Sequence, residues 1–377
     1  MTRKKILLLS VSAGSGHTRA AEAIRCCATI EYPGVEAIHL DVMNFVSPGL
    51  RRLYTTLYIF LVNKAPSLWA CLYRICNEAS PASRMQRVRR WAERLNCKPL
   101  LREIAAQNPD VIVCTHFLPA ELMAQLGASG RLHCPAWVQV TDFDVHRMWV
   151  HGGMAGYFAA SDEVAFRMRA LGLAAAAIHV SGIPIMPAFS QAPGRRACAA
   201  GFGIDPQRTT LLLMGGGAGL GRLDAIAERL LGLQEDFQLI VLAGKNASAL
   251  ATLQALATRH PGRLLALGFT HQVERLMACA DLVITKPGGL TSAECLALGL
   301  PMLLSAPIPG QEERNADFLL EQGVALIAAD AVALEYRVRH LLAHPAKLAD
   351  MRARAIKLAR PHAARQVLAT LLAHLER

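Results

Sequence analysis

The sequence predicts an α/β protein made of two doubly wound, Rossmann-like domains that face a cleft. Short apolar runs alternate with amphipathic stretches along the chain, which is typical of βαβ units that form parallel sheets. The runs are almost continuously apolar, as strands buried on both faces should be. With 377 residues, of which 53% are hydrophobic and 18% charged, the chain is long enough for two such domains.

The predicted strands form two sets of six. The first set covers 5–12, 35–42, 110–115, 136–141, 157–160 and 178–182. The second set covers 210–214, 237–243, 264–267, 282–285, 301–304 and 325–328. Amphipathic patterns between them predict helices over 20–30, 223–232, 247–259 and 292–298. The last residues, from 346 onward, are predicted to be helical with a break near Pro361.

A cluster of prolines and glycine over 181–206 separates the two sets and is typical of an interdomain connection. We therefore expect an amino-terminal domain over 1–185, a linker over 186–206, a second domain over 207–345 and a helical tail over 346–377. Ligands of doubly wound sheets bind outside the carboxyl ends of the strands.

The basic charge of the chain is concentrated in one segment, 51–102. This segment has eleven basic and two acidic residues, so it carries +9 of the formal net charge of +11. Interfacial aromatic residues are interspersed with the charges and include Tyr54, Trp69 and Trp91. On a helix, Arg87, Arg90 and Arg94 share a face opposite Trp91. Basic amphipathic helices of this kind bind anionic bilayers, although an ordinary surface helix with solvated arginines is the alternative.

Other classes of protein fit less well. The ten cysteines include no C-x-x-C pair, which argues against a zinc site and predicts reduced, buried thiols. No unbroken apolar stretch reaches the roughly 20 residues of a membrane span, and residues 1–16 lack a signal-peptide cleavage site. The basic cluster has no zinc-finger or RNA-recognition signature. The sequence thus predicts a cytoplasmic, peripheral membrane protein that does not bind nucleic acid.

The first glycine loop, Gly14-Ser15-Gly16-His17, follows a predicted strand and precedes a helix. Its backbone N–H groups and the helix terminus favour a negatively charged ligand. Arg19 occupies the position where the dinucleotide fingerprint requires a third glycine, and the P-loop pattern is absent. His17 would be a base or a group that orients a substrate. The alternative is a helix-capping histidine without chemistry.

Two further loops follow predicted strands of the second half. The loop 215–221 contains five glycines, Gly215, Gly216, Gly217, Gly219 and Gly221, whose ordering cost is understandable if a diphosphate contacts the backbone. The other loop runs from Lys286 through Gly288 and Gly289 to Thr291, and Glu294 is predicted in the first helical turn, where it would bind a ribose diol. The side chains of Gln311, Glu312 and Asn315 would contact sugar hydroxyls. A bare surface turn is the alternative.

The segments that form this pattern are Gly14–His17, Thr141-Asp142-Phe143, 215–221, 286–291 with Glu294, and 309–312 with Asn315. In them the chain resembles the monogalactosyldiacylglycerol synthases and the bacterial processive diacylglycerol glucosyltransferases. These are GT-B fold enzymes related to the peptidoglycan N-acetylglucosaminyltransferase MurG. The resemblance extends from Lys4 to about Asp330, and the basic segment 51–102 stands where the family has its lipid-binding region.

The resemblance implies an inverting transfer of a hexose from UDP-galactose or UDP-glucose to diacylglycerol at the membrane surface. The UDP-sugar is a substrate, and no cofactor or metal ion is required, because a helix dipole and Lys286 can replace the metal of other enzymes. Partners would be the UDP-sugar, diacylglycerol and anionic membrane lipids. The amino-terminal domain would bind acceptor and membrane, and the second domain the UDP-sugar. The choice of sugar, processivity and oligomeric state remain open at this point.

The resemblance also implies roles for individual residues. His17 and Asp142 would be catalytic, and either of them would be the base. If His17 is the base, the acid limb of the kcat profile is expected near pH 6–7. The donor would be bound by Gly215, Gly216, Gly217, Gly219, Gly221, Phe269, Thr270, Lys286, Gly288, Gly289, Leu290, Thr291, Glu294, Gln311, Glu312 and Asn315. The acceptor and the membrane would be bound by Gly14, Gly16, Tyr54, Trp69, Arg87, Arg90, Trp91 and Arg94.

Three alternatives differ in acceptor or in class. The first is a transferase that acts on a polyprenyl-diphosphate sugar, as MurG does. The second is a UDP-N-acetylglucosamine 2-epimerase, which needs no lipid and little basic surface. The third is a non-catalytic module that binds anionic lipid or nucleic acid.

Overall fold

The computed structural model describes residues 3–12, 14–47, 98–192, 194–215 and 222–376, together with positions 49, 52, 65, 67–69 and 71. The chain divides into two compact units. The first unit contains the described residues up to Pro187, with Ile308–Gln311 and the residues from His362 onward. The second unit contains Ala188–Pro307 and Glu312–Pro361. The boundaries predicted for the domains stay a prediction.

The first unit is a parallel sheet with helices connecting its strands. In chain order its elements are β1 (Lys4–Ser10), α1 (Ser15–Glu31), β2 (Val35–Asp41), α2 (Lys98–Gln107), β3 (Val111–Cys114), α3 (Phe117–Ala128), β4 (Ala136–Gln139), β5 (Gly156–Ala159), α4 (Asp162–Ala170) and β6 (Ile178–Val180). The strand order is β2-β1-β3-β4-β5-β6, and all neighbours are parallel. The chain therefore reverses direction across the sheet between β1 and β3, which is where doubly wound sheets bind ligands.

The second unit repeats this plan. The chain continues through α5 (Pro187–Ser190), α6 (Arg195–Ala200), β7 (Thr210–Met214), α7 (Leu223–Leu231), β8 (Gln238–Leu242), α8 (Ala247–Arg259), β9 (Leu264–Leu267), α9 (Val273–Cys279), β10 (Leu282–Thr285), α10 (Gly289–Ala297), β11 (Met302–Ser305), α11 (Gln311–Glu321), β12 (Ala325–Ala328), α12 (Ala331–Ala343) and α13 (Pro345–Leu358). The strand order is β12-β11-β10-β7-β8-β9, again all parallel. Its point of reversal lies between β7 and β10.

The last helix, α14 (Ala363–Leu375), belongs to the first unit. It buries Val367, Leu368 and Leu371 in the core formed by α1 and the strands. In the same core the rings of Trp137 and Phe158 stack with their centroids 5.1 Å apart. The predicted tail is therefore helical, with a break around Pro361, and its last helix completes the first sheet's core.

The predicted α/β class with two doubly wound sheets is confirmed, and each predicted strand lies within two residues of an observed one. Two helix starts differ in ways that matter for the site. The helix predicted over 20–30 begins at Ser15, so His17 lies in its first turn. The helix predicted from Ser292 begins at Gly289, because Gly288 is already extended (φ −69°, ψ 137°) and caps it. Glu294 is the sixth residue of α10 and lies in its second turn, so the predicted first-turn position is wrong.

Candidate active site

Three chain segments meet at the carboxyl edge of the first sheet, because β1, β3 and β4 are adjacent parallel strands. His17 lies in the first turn of α1, the helix that follows β1. Thr115 and His116 follow β3, and Thr141 follows β4. These segments lie at the point where the chain reverses direction across the sheet. The topology thus brings together residues that are separated by up to 124 positions in the sequence.

His17 is held by two groups, one after β3 and one after β4. Its Nδ1 lies 2.9 Å from the carbonyl oxygen of Thr115 and 2.8 Å from Oγ1 of Thr141. A carbonyl oxygen only accepts hydrogen bonds, so Nδ1 must carry the ring proton in this geometry. The neutral ring then has its lone pair on Nε2, where it can accept a proton from a substrate.

The backbone of His17 is fixed as well. Thr115 Oγ1 donates to the carbonyl oxygen of His17 at 2.9 Å. The glycines of the preceding loop lie where α1 begins: Gly14 is its N-cap in an extended conformation, and Gly16 is in the first turn. The side chain that the sequence singled out is therefore fixed at its ring and at its backbone.

Burial lowers the pKa of His17 to about 4, although the hydrogen bond to the Thr115 carbonyl opposes this effect. The ring is partly buried, edge-on to His116 at a centroid distance of 4.6 Å and 6.0 Å from the ring of Trp149. The prediction of an acid limb at pH 6–7 is therefore corrected downward. At neutral pH the imidazole is uncharged and available as a base.

We expect the His17 ring to titrate near pH 4 in NMR spectra of the folded protein. Since its folded pKa lies below the ordinary 6.5, the unfolded chain takes up this proton first as the pH falls. The free energy of unfolding is therefore highest above about pH 6.5 and falls progressively toward pH 4. The decrease that is due to His17 amounts to about 2 kcal/mol between pH 7.5 and 5. Urea unfolding of the parent and of His17→Gln at both pH values measures the decrease that is due to His17. A His17 ring that titrates at pH 6.5 would contradict the prediction.

His116 is a site residue that the sequence reasoning missed. It is buried, and its Nδ1 accepts a hydrogen bond from the Leu118 backbone N–H at 3.0 Å, so that it caps α3. Burial and the neighbouring His17 hold the pKa of His116 well below its usual value. Its sequence signal is the same as that of His17, a histidine between a buried strand and a helix.

Asp142 lies three residues beyond the end of β4, in a partly buried position next to Thr141. Its place at the same edge of the sheet agrees with its predicted neighbourhood. The role of Asp142 as base stays a prediction.

In the second unit, the predicted donor residues lie at the carboxyl edge of the other sheet. Gly215 follows β7, and Lys286 and Gly288 follow the adjacent strand β10. These loops are at the reversal point of this sheet. Phe269 and Thr270 follow β9 at the same edge.

The start of α10 has the character of an anion site. No side chain caps it, so the N–H groups of Gly289, Leu290 and Thr291 in its first turn lack helical acceptors,. The hydroxyl oxygens of Thr285 and Ser292 are buried and have no hydrogen-bond partner among the described residues. The positive end of the helix dipole and these donors suit a phosphate group.

Two acidic side chains lie near this helix start. Glu294, in the next turn, is buried with 6% exposure. A side-chain carbon built on Gly288 would lie 4.0 Å from Glu312 Oε1, so the first turn of α11 approaches the loop before α10. Asn315 is fully buried, and Gln311 and Glu312 are thus the more accessible of the three residues predicted to hold a sugar.

Phe269 is an exposed aromatic residue, with 58% of its surface accessible. Lys245 Nζ lies 5.3 Å from the centre of this ring, and His271 meets it edge-on at 4.9 Å. Lys245 is a second residue that the sequence reasoning missed. Its sequence signal is the Gly244-Lys245 pair, which begins two residues after the end of β8 and forms another glycine turn at the carboxyl end of a strand.

Several predicted site residues lie outside the described residues. In the donor loop these are Gly216, Gly217, Gly219 and Gly221, and in the basic segment they are Tyr54, Arg87, Arg90, Trp91 and Arg94. Trp69 is described and is partly buried. Among the helices that the structure describes, none combines the length and apolarity of a membrane span.

Comparisons with known proteins agree with this arrangement. Residues 17–185 match the family described as monogalactosyldiacylglycerol (MGDG) synthase, and residues 210–367 match the glycosyltransferase family 28 C-terminal domain. The chain is 30% identical to the processive diacylglycerol beta-glucosyltransferase of Bacillus pumilus over 97% of its own length and 94% of the relative.

Solved structures with low sequence identity share the fold. The UDP-N-acetylglucosamine 2-epimerase from Neisseria meningitidis superposes with a TM-score of 0.64 at 13% identity, covering 98% of this chain and 99% of the other. MurG from Acinetobacter baumannii superposes with a TM-score of 0.56 at 16% identity, covering 97% and 99%. The chain thus has the GT-B fold.

Proposed function

The chain belongs to the monogalactosyldiacylglycerol synthase family, and from this premise we propose that His17 is the base of a hexosyl transfer from a UDP-sugar to diacylglycerol. The chain is a diacylglycerol glycosyltransferase that makes glycolipid. The observation that carries the role of His17 is its fixed Nδ1–H, which leaves Nε2 unprotonated at the sheet edge.

The proposed reaction is an in-line displacement. His17 Nε2 takes the proton of the acceptor hydroxyl while the oxygen forms a bond to the anomeric carbon. The bond between that carbon and the phosphate oxygen breaks, and UDP leaves with the electron pair. Because the acceptor attacks the face opposite to UDP, the configuration inverts and a β-glycoside results. The positive charge that forms on His17 is stabilised by the two acceptors of its Nδ1–H.

The second unit would bind the donor. We propose that the first-turn N–H groups of α10, Lys286 and the loop beginning at Gly215 stabilise the charge that develops on the diphosphate. Glu294 would bind the ribose, and Phe269 with the backbone of Thr270 would bind the uracil. The hexose would contact Gln311, Glu312 and Asn315.

The deciding experiment for the function is incubation of the protein with diacylglycerol vesicles and a panel of UDP-sugars, followed by mass analysis of the lipids. One hexose added to diacylglycerol supports the proposal, and two or more show processive transfer. A parallel reaction with a polyprenyl-diphosphate acceptor tests the MurG-like alternative. Turnover of the polyprenyl acceptor without diacylglycerol products would refute the proposal. Vesicle binding without any turnover would favour a non-catalytic module.

We further propose that the basic, aromatic segment 51–102 docks the enzyme on an anionic membrane surface. Its +9 charge and its interfacial aromatic residues support this proposal,. Peripheral docking would place the first unit at the surface where diacylglycerol resides.

Reversal of Arg87, Arg90 and Arg94 to Glu should weaken binding to anionic vesicles and change binding to zwitterionic vesicles little. Each basic residue near an anionic surface contributes about 1 kcal/mol. Vesicle sedimentation at fixed ionic strength measures the effect. The matched control reverses Lys347, Lys357 and Arg360, which are exposed in the second unit and change the net charge equally. Equal losses in both variants would contradict specific docking by the segment.

A further inference from the structure

We propose that the hydroxyl of Thr141 is a positioning group that holds the His17 ring in its productive orientation. This inference rests on the proposed role of His17 as base. The geometry behind it is the 2.8 Å separation between Thr141 Oγ1 and His17 Nδ1. Thr141 follows β4, the strand next to β3, which Thr115 follows. Thr141 is buried with 4% exposure, so its hydroxyl serves His17 rather than a substrate.

The count of protons decides the direction of this hydrogen bond. Nδ1 carries one hydrogen, because the Thr115 carbonyl at 2.9 Å can only accept. Thr141 Oγ1 therefore also accepts from the same N–H, in a three-centre bond, and its own hydrogen is left for another acceptor. If Thr141 instead donated to Nδ1, the Thr115 carbonyl would face a lone pair, which is unfavourable in a partly buried site.

The two threonines have separate tasks. Thr115 Oγ1 binds the backbone carbonyl of His17 and also lies 3.4 Å from the carbonyl oxygen of Leu9, so it fixes α1 against the strands. The Thr141 hydroxyl, in contrast, binds the ring of His17 and not its backbone. Because a β-branched side chain has restricted χ1, the Thr141 hydroxyl is a stiff acceptor that limits rotation of the imidazole.

This arrangement matters most when His17 has taken a proton. The imidazolium is a stronger donor than the neutral ring, and two acceptors at Nδ1 stabilise it without a carboxylate. Charged or titratable groups on the adjoining elements include Arg19 in α1, His116 after β3 and Glu121 in α3. After β4 they include Asp142, Asp144, His146 and Arg147. Of these, the ring of His116 contacts His17 edge-on.

The test compares Thr141→Val, which keeps the shape and removes the hydroxyl, with Thr141→Ser, which restores it. We expect Thr141→Val to lower kcat about 10-fold with the KM for the UDP-sugar unchanged, as for the loss of one hydrogen bond to a charged group. Thr141→Ser should recover most of kcat. The matched control is Ser181→Ala, which removes another buried hydroxyl of this unit that donates to the Gly182 carbonyl at 2.9 Å. It should leave kcat unchanged.

A spectroscopic readout separates this inference from the proposed reaction. The His17 Nδ1–H signal should exchange slowly with water in the parent and in Thr141→Ser, and at least about 10-fold faster in Thr141→Val. If the parent transfers no hexose, the exchange rates still test whether Thr141 holds the ring. If the parent is active, an unchanged kcat and an unchanged exchange rate in Thr141→Val overturn the positioning role and leave His17 as base intact.

Discussion

We expect His17→Ala to lose on the order of 10²–10⁴-fold in kcat, the range that a positioned base contributes, while UDP binding is retained. The substitution removes the imidazole ring whose Nδ1 is held by the Thr115 carbonyl and the Thr141 hydroxyl. The residues proposed to bind UDP belong to the second unit, so calorimetry with UDP should give the parental Kd. His17→Gln keeps part of the volume and should be equally impaired.

The control is His133→Ala, a substitution of an exposed histidine in the same unit, which should have parental kcat. Because the pKa of His17 is about 4, kcat of the parent should be level from about pH 5.5 upward and fall only below about pH 5. A His17→Ala enzyme with near-parental kcat would exclude both a basic and an orienting role. Asp142→Asn would then be the substitution to measure, since a carboxylate base gives a similar acid limb.

The sequence predicted the architecture because the strands are continuous apolar runs. Thr210–Met214 and Leu282–Thr285 have the bounds that the pattern indicates, and all five residues of the former strand are buried. Burial on both faces leaves little ambiguity between strand and loop. The order of the strands in each sheet could not be predicted from the apolar pattern. It depends on the position in the sheet to which each connecting helix returns the chain.

That order determines the site. His17 and Thr141 are 124 positions apart, and they meet because β4 lies next to β3, which lies next to β1. The glycine pattern indicated His17, but nothing local indicated that Thr115 and Thr141 hold its ring. For the same reason the expected acid limb at pH 6–7 was too high, because burial by neighbouring elements is a property of the fold.

The start of α10 shows a second reason why the site could not be fully predicted from the sequence. The apolar pattern becomes helical only at Ser292, whereas the hydrogen bonds begin at Gly289, directly after the extended residue Gly288. Glycine has a low helix propensity, so its presence in a first turn hides the helix start. The three residues in question, Gly289, Leu290 and Thr291, are the ones whose free N–H groups suit a phosphate.

We expect Glu294→Gln to weaken UDP binding by about 10- to 150-fold, because a charge-assisted hydrogen bond contributes about 1.5–3 kcal/mol. Glu294 is buried with 6% exposure, so Gln, which keeps the shape, is a cleaner substitution than Ala. Glu294→Ala should raise the donor KM at least as strongly. The matched control is Glu321→Gln in α11, where the side chain is exposed, and calorimetry measures the Kd of each variant.

A comparison of UDP with 2′-deoxy-UDP shows whether the lost affinity concerns the ribose. If Glu294 binds both hydroxyls of the diol, the parent should prefer UDP, and Glu294→Gln should lose most of that preference. The coupling energy between the Glu294 substitution and the removal of the 2′-hydroxyl does not depend on a general loosening of α10. A loosened helix would weaken the binding of UDP and of 2′-deoxy-UDP alike. Unchanged UDP affinity in a folded Glu294→Gln protein would remove Glu294 from the donor site, and the ribose would then have to be bound by another residue at the carboxyl edge of the second sheet.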